Sequence, residues 1–296
     1  MGTVRWVARP ALKAPPRLSP VVLVLGAISS VQFGAALAKT LFDEIGPGGT
    51  VFVRVAFAAL LLTLVWRPVV AGHERRDLWL VLAFGVTLAG MNLAFYSAID
   101  RIPLGVAVTL EFVGPLGVAV AASRRALDLL WVGLAGAGIL LLSDFGSADL
   151  DGLGVALALL AGGLWASYIL LSARVGRAFP GASGLTLAMI VASFLLVPVG
   201  VADAGADLLI PWILAAGAAV ALLSSAIPYS LELEALRRMP AGVFGVLMSL
   251  EPAVAALAGF VLLGESLVAR EVIAILLVIA ASAGAARQAS IAPRDA

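Results

Sequence analysis

Two glutamates stand inside long apolar runs: Glu111 between Leu110 and Phe112, and Glu251 directly before Pro252. An ionisable group at mid-membrane depth costs about 2.5–3.5 kcal/mol even on the lenient insertion scales, so a carboxyl at that depth calls for a physical reason. Facing a water-filled cavity, a carboxylate can hold a cationic group such as an ammonium. The same oxygen can take up and release a proton, so substrate and proton can compete for one site. The alternative is structural. Glu111 can be a protonated carboxyl bonded to a neighbouring helix, and Glu251 can serve helix geometry beside Pro252, which frees a backbone carbonyl.

Other polar residues fall at comparable depth. Gln32 carries an amide that needs partners inside the bilayer, whereas Lys39, closer to a helix end, can meet a substrate carboxylate or snorkel to the headgroups. Asn92 and Tyr96 are spaced i, i+4 and so share a helix face. Trp165 and Tyr168 stand on a later helix, and Ser224, Ser225 and Tyr229 cluster beside Pro228. Each of these can be an interhelical hydrogen bond or part of the interfacial aromatic belt. As a set they predict a polar cavity lined by the first, third, fourth, sixth, eighth and ninth helices.

The elements that must hold these residues follow from composition. Of 296 residues 62% are hydrophobic and 12% charged, against roughly 25% charged in a soluble domain. Mean hydropathy is +1.10. A spanning helix needs about 20 mostly apolar residues, and such stretches fall at 20–40, 49–66, 78–98, 103–122, 128–143, 152–172, 183–202, 210–231, 240–263 and 269–287. Gly46-Pro47-Gly48-Gly49 reads as the turn between the first two. With a cytoplasmic N-terminus, fifteen of the nineteen basic residues fall on the inside; the opposite side keeps only Lys39, Arg54, Arg101 and Arg270. The positive-inside rule thus predicts an all-α integral membrane protein of ten transmembrane helices with N-terminus and C-terminus both inside.

The chain also repeats. Residues 98–115 (AIDRIPLGVAVTLEFVGP) and 235–252 (ALRRMPAGVFGVLMSLEP) agree at seven of eighteen positions, at a constant offset of 137, including Pro103/Pro240 and Pro115/Pro252. Asn92 aligns with Tyr229 under the same offset. An internal repeat of apolar helices points to a transporter. The predicted organisation is a cytoplasmic tail over 1–19, a five-helix unit over 20–145, a second over 150–287 and a tail over 288–296. Five is odd, so the second unit enters the membrane from the other side and the repeats are inverted, which leads naturally to alternating access around a midplane site.

Other classes find little support. Basic residues before the first apolar run and Ala36-Leu37-Ala38 after it suggest a signal peptide, but the run exceeds the usual 7–15 residue core and its loss would break the repeat. Without cysteine there is neither disulfide nor thiolate metal site. No GxxxxGK(S/T), HExxH or GxSxG occurs, and the single His73 sits in a charged loop, so no enzyme, metal or cofactor is expected. A net charge of +1 gives no sign of a nucleic-acid partner. Gly154, Ala158, Gly162 and Ala166 form a small-residue ladder suited to close packing within the monomer; oligomeric state is left open.

The segments SVQFGAALAKTLF (30–42), GMNLAFYSAIDRIPLGVAVTLEFVGPLGVA (90–119), SAIPYSLELEALRRMP (225–240) and GVLMSLEPAVAALAGFVLLGESL (245–267) resemble the drug/metabolite transporter superfamily with two EamA domains. Within it the match is to the threonine/homoserine exporters. The resemblance spans residues 20–287. It implies proton-driven efflux of small neutral amino acids across the bacterial inner membrane, and it places Gln32, Lys39, Asn92, Tyr96, Glu111 and Glu251 in shared motifs. The expected partners are an amino acid, protons and membrane lipid. The expected transport residues are these six with Trp165 and Tyr229, and Glu111 is the expected proton carrier. A zwitterion wants one anionic and one cationic or dipolar partner, which Glu111 with Lys39, or with helix ends at Pro103 and Pro240, can provide. A phosphate ester would want several midplane Lys or Arg, and none is expected there. The alternatives are export of another small metabolite or a lipophilic cation, or a non-transporting membrane scaffold or enzyme subunit.

Overall fold

In the computed structural model, residues 18–68, 74–102, 104–123, 125–142, 151–254 and 269–291 are described, and these residues form helices joined by short turns. Five helical stretches, Thr40–Trp66, Arg75–Ile99, Gly152–Ala178, Ser183–Leu209 and Pro211–Leu236, are long and apolar enough to cross a membrane. Five shorter ones, Pro20–Gly34, Val106–Ala122, Ala126–Leu141, Ala241–Val254 and Val272–Ala285, are also apolar. Large apolar side chains such as Leu64, Val65, Phe194 and Leu276 lie on the outside, where only lipid suits them.

The first helix, α1 (Pro20–Trp66), starts at Ser19, whose hydroxyl caps Val22 N–H at 3.3 Å, and breaks at Gly46. There φ is +65°, a conformation that glycine alone adopts without strain, and Pro47 begins the next arm without needing a hydrogen bond. The turn is therefore one residue rather than the four-residue 46–49 segment expected. Gly48 N–H donates to Asp203 Oδ2 (2.9 Å), and Trp212 Nε1–H donates to Glu44 Oε1 (3.1 Å) at the same end. At the other end Arg238 donates to the Leu18 carbonyl (3.2 Å), Gly181 lies against Trp66, and neighbouring Arg237 donates to the carbonyls of Gly176 (2.6 Å), Phe179 (2.9 Å) and Gly181. The two arms of α1 thus fold back on each other.

Beyond α1 come α2 (Arg75–Ile99), α3 (Leu104–Glu111), α4 (Val113–Ala122), α5 (Ala126–Leu142), α6 (Gly152–Ala178) and α7 (Ser183–Ala204). They are followed by α8 (Pro211–Ala221), α9 (Ile227–Leu236), α10 (Ala241–Met248) and α11 (Ala269–Ile291). Asp151 caps α6 through Leu153 N–H (3.0 Å) and pairs with Arg101 (3.2 Å).

Two irregularities recur at the repeat offset. Helix α3 gives way to α4 at Phe112 (φ −63°, ψ −13°), and α10 is interrupted at Ser249 (φ −62°, ψ −11°), 137 residues later. In each case a proline follows three positions on, Pro115 or Pro252. It can neither donate to nor clear the carbonyl four residues before it, that of Glu111 or of Met248.

Helices that correspond under the 137-residue offset meet antiparallel. Gly242 lies against Ala122 and Ala119 while Gly245 lies against Pro115, bringing the start of α10 to the end of α4. Gly138 meets Ala274 and Val278, and Gly284 meets Trp131, which pairs α5 with α11 in the same sense. The second arm of α1 likewise runs against α7, with Gly200 on Phe52 and Gly181 on Trp66.

Between α8 and α9 lies a π turn, Leu222–Ala226. In that register the Leu223 carbonyl expects its donor at residue 228, which is proline. Ser30 of α1 replaces it, its Oγ donating to Leu223 O at 2.6 Å.

Candidate functional site

The cavity at the meeting of these helices is about 260 Å³. Its wall brings together seven of the eight expected residues: Gln32, Asn92, Tyr96, Glu111, Trp165, Tyr229 and Glu251. The eighth, Lys39, has its backbone in α1, but its side chain lies outside the described residues. The helices that supply the wall are those anticipated, with one addition, the second arm of α1.

Local structure sets each side chain. Asn92 and Tyr96 share one face of α2. Asn92 donates to the Leu88 carbonyl one turn back (2.7 Å) and exchanges a hydrogen bond with the Tyr229 hydroxyl (3.3 Å). These two residues are repeat equivalents in direct contact. Glu111 occupies the last turn of α3, directly before the interruption that Pro115 imposes. Its backbone is held by α6: a Cβ on Gly162 would stand 2.7 Å from the Glu111 carbonyl oxygen, and one on Gly114 would stand 1.9 Å from that of Gly162. The small-residue ladder of α6 therefore serves close packing inside the monomer, and one product is the fixed position of Glu111. Trp165, one turn further along α6, packs edge-on against Phe112 (5.0 Å, 63°).

Two charged residues of the wall were not anticipated. The charge pattern puts Arg54 on the outer side, yet it is 7% exposed and lines the cavity. Its Nη1 donates to the Tyr96 hydroxyl (3.0 Å), and its guanidinium carbon lies 5.1 Å from the centre of that ring. The expectation that no Arg occupies this depth is corrected with it. The signal in the sequence is an arginine several residues inside the apolar run 49–66, close enough to its start for a surface position. Glu232, the second, lay one residue past the drawn end of its helix at 231; α9 continues to Leu236. Glu232 is buried and accepts a hydrogen bond from the Tyr168 hydroxyl (2.8 Å), and Tyr168 in turn packs on Tyr229 (5.4 Å between rings).

The site thus holds three carboxyls, Glu111, Glu232 and Glu251, and one guanidinium within a largely apolar wall. Glu111 lies within electrostatic reach of both Glu251 and Arg54. Among the described residues no group of His, Cys, Asp and Glu is arranged to hold a metal ion. Such a cavity can hold a small polar molecule that carries both charges, and aromatic rings from Tyr96, Trp165 and Tyr229 add faces for a cationic group.

An apolar helical bundle closed around a charged cavity defines a multi-pass membrane protein of the transporter class. Residues 152–287 match the EamA-like transporter family. The chain is 44% identical over 268 residues to the threonine/homoserine exporter RhtA of Salmonella typhimurium strain LT2, covering 90% of each chain. It is 42% identical over 276 residues to the protein of the same name from Escherichia coli K12, covering 93% of each. A solved crystal structure shares the fold with a TM-score of 0.75 at 17% identity, over 92% of this chain and 97% of the other. The chain belongs to the EamA-domain transporters of the drug/metabolite transporter superfamily, in the family of the threonine/homoserine exporters.

Proposed function

We propose that this protein is an inner-membrane exporter of small neutral amino acids, threonine and homoserine first among them, driven by proton influx through alternating access. Its ten helices form two inverted five-helix repeats with both ends cytoplasmic. The observation that carries the transport site is the placement of Glu111 and Glu251 on one small cavity together with Arg54, Asn92 and Tyr229.

Alternating access is supported by the symmetry of the contacts. Three pairs of equivalent helices meet antiparallel, equivalent residues Asn92 and Tyr229 touch, and the two proline interruptions fall at one offset. Such a molecule has two arrangements of similar energy, related by exchanging the conformations of its halves. The identity to exporters over nine-tenths of the chain supports the direction and substrate.

In the proposed cycle the Glu111 carboxylate, open to the cytoplasm, holds the substrate ammonium. After the change of access, a proton from outside takes that oxygen and the amino acid leaves. The protonated carboxyl then returns inward, releases its proton to the cytoplasm and binds the next ammonium. Each group thus displaces the other from a single oxygen.

A lipophilic cation would use the aromatic rings and carboxyls of the same wall, but Arg54 opposes it. Counterflow in two sets of liposomes, one preloaded with unlabelled threonine or homoserine and one with an unlabelled aromatic cation, separates the two: accumulation of labelled threonine in the first set supports the amino-acid exporter, and accumulation of labelled cation in the second set alone supports the other.

A further inference from the structure

We infer that Arg54 is a specificity residue that reads the free carboxylate of the transported molecule, so that this transporter rejects amino acids whose carboxyl is blocked. This rests on the amino-acid reading above and narrows it.

A guanidinium buried in an apolar helix is costly unless its charge and its donors are met. The partners of Arg54 are neutral: the Tyr96 hydroxyl on Nη1 and the face of the same ring. Tyr229 is close by. Its Nε–H has no hydrogen-bond partner, although the residue is only 7% exposed. The ion pairs Arg101–Asp151, Arg237–Glu234 and Arg238–Glu234 all lie outside the cavity. Glu111 lines the same wall as Arg54 and makes no salt bridge with it. The cavity wall therefore carries a cation with an unmet donor and no paired counter-charge among the described residues, and a carboxyl lines the same space.

A planar fork of N–H donors is matched by the two oxygens of a carboxylate and by little else of that size. An α-amino acid supplies that group at one end and an ammonium at the other, which suits Arg54 and Glu111 at once. Tyr96 acts as the positioning residue, since its hydroxyl and ring fix the plane of the guanidinium while Phe42 stacks on it from beyond (5.2 Å). A neutral amide or ester in place of the carboxylate would leave the buried cation without its counter-charge.

The test is competition in proteoliposomes exchanging labelled threonine. Threonine amide and threonine methyl ester keep the ammonium and the side chain and lose only the carboxylate. The expected result is that both inhibit the wild-type protein at least about 30-fold more weakly than threonine, the effect of leaving one partner of a buried charged pair unmatched. Arg54→Lys, which keeps the charge without the fork, should raise the KM for threonine by about 10-fold or more and shrink the gap between threonine and its amide. Equal inhibition of the wild type by threonine and its amide overturns the role of Arg54 while leaving the exporter reading intact. Absence of threonine exchange in folded wild-type protein overturns both. The wild-type competition needs no variant, so a poorly folding Arg54→Lys protein does not rescue the inference.

Discussion

Carboxyls in the middle of apolar helices were legible in the sequence because their cost calls for a reason, and Glu111 and Glu251 do share one cavity. Arg54 and Glu232 carried the same signal but stood near the drawn ends of their helices, where snorkelling offers a cheap explanation. Side-chain direction decides between the two outcomes, and hydropathy does not contain it. Outside the membrane, Asp151 makes a prediction in pH. Capping of Leu153 N–H and then the pairing with Arg101 hold its carboxyl below the ordinary aspartate range. A depressed value means that its contribution to the start of α6 is complete above the usual aspartate pKa of about 3.9 and is lost as pH falls through the lowered value. Amide hydrogen exchange at Leu153 should accelerate, relative to the middle of α6, as pH drops through that window. Asp151→Ala should show the faster exchange at every pH and no such step.

At the level of elements, the prolines organise the site. Pro115 and Pro252 interrupt the helices that carry Glu111 and Glu251, and Pro228 leaves the Leu223 carbonyl to Ser30. The spacing of Pro115 and Pro252 was readable from the repeat; the π turn before Pro228 and the serine that repairs it were not, because they depend on a neighbour 193 residues away. Close approach of α6 to α3 is the other determinant. Gly162→Ala adds a methyl group 2.7 Å from the Glu111 carbonyl oxygen, against backbone that cannot rotate away. It should destabilise the protein by about 1–3 kcal/mol, and it should lower transport more than the loss of folded protein accounts for, because Glu111 shifts with its backbone. Thermal unfolding in detergent and exchange per folded molecule measure the two effects. Gly163→Ala, one residue on, adds its methyl group to open space and is the matched control.

For the whole molecule, the hydrogen bonds and close contacts at the helix ends fall into two groups. Glu44, Gly48, Asp203 and Trp212 meet at one end; Leu18, Trp66, Gly181 and Arg238 meet at the other. The chain contains no cysteine, so single cysteines report sidedness without background. In right-side-out vesicles an impermeant thiol reagent should label Gly152→Cys, which faces open space, and should leave Leu18→Cys unlabelled until the membrane is opened. Labelling of Leu18→Cys from outside would reverse the orientation, and labelling of both would break the proposed topology.

The central claim is that one carboxyl in this cavity exchanges an amino acid for a proton. Its most direct test compares wild type and Glu111→Gln in liposomes, following labelled threonine with and without an imposed pH gradient. The account predicts wild-type accumulation that follows the gradient, and in Glu111→Gln no response to the gradient at all, whatever exchange remains. Gradient-driven accumulation that survives in Glu111→Gln would contradict it and move the proton to another carboxyl of the cavity.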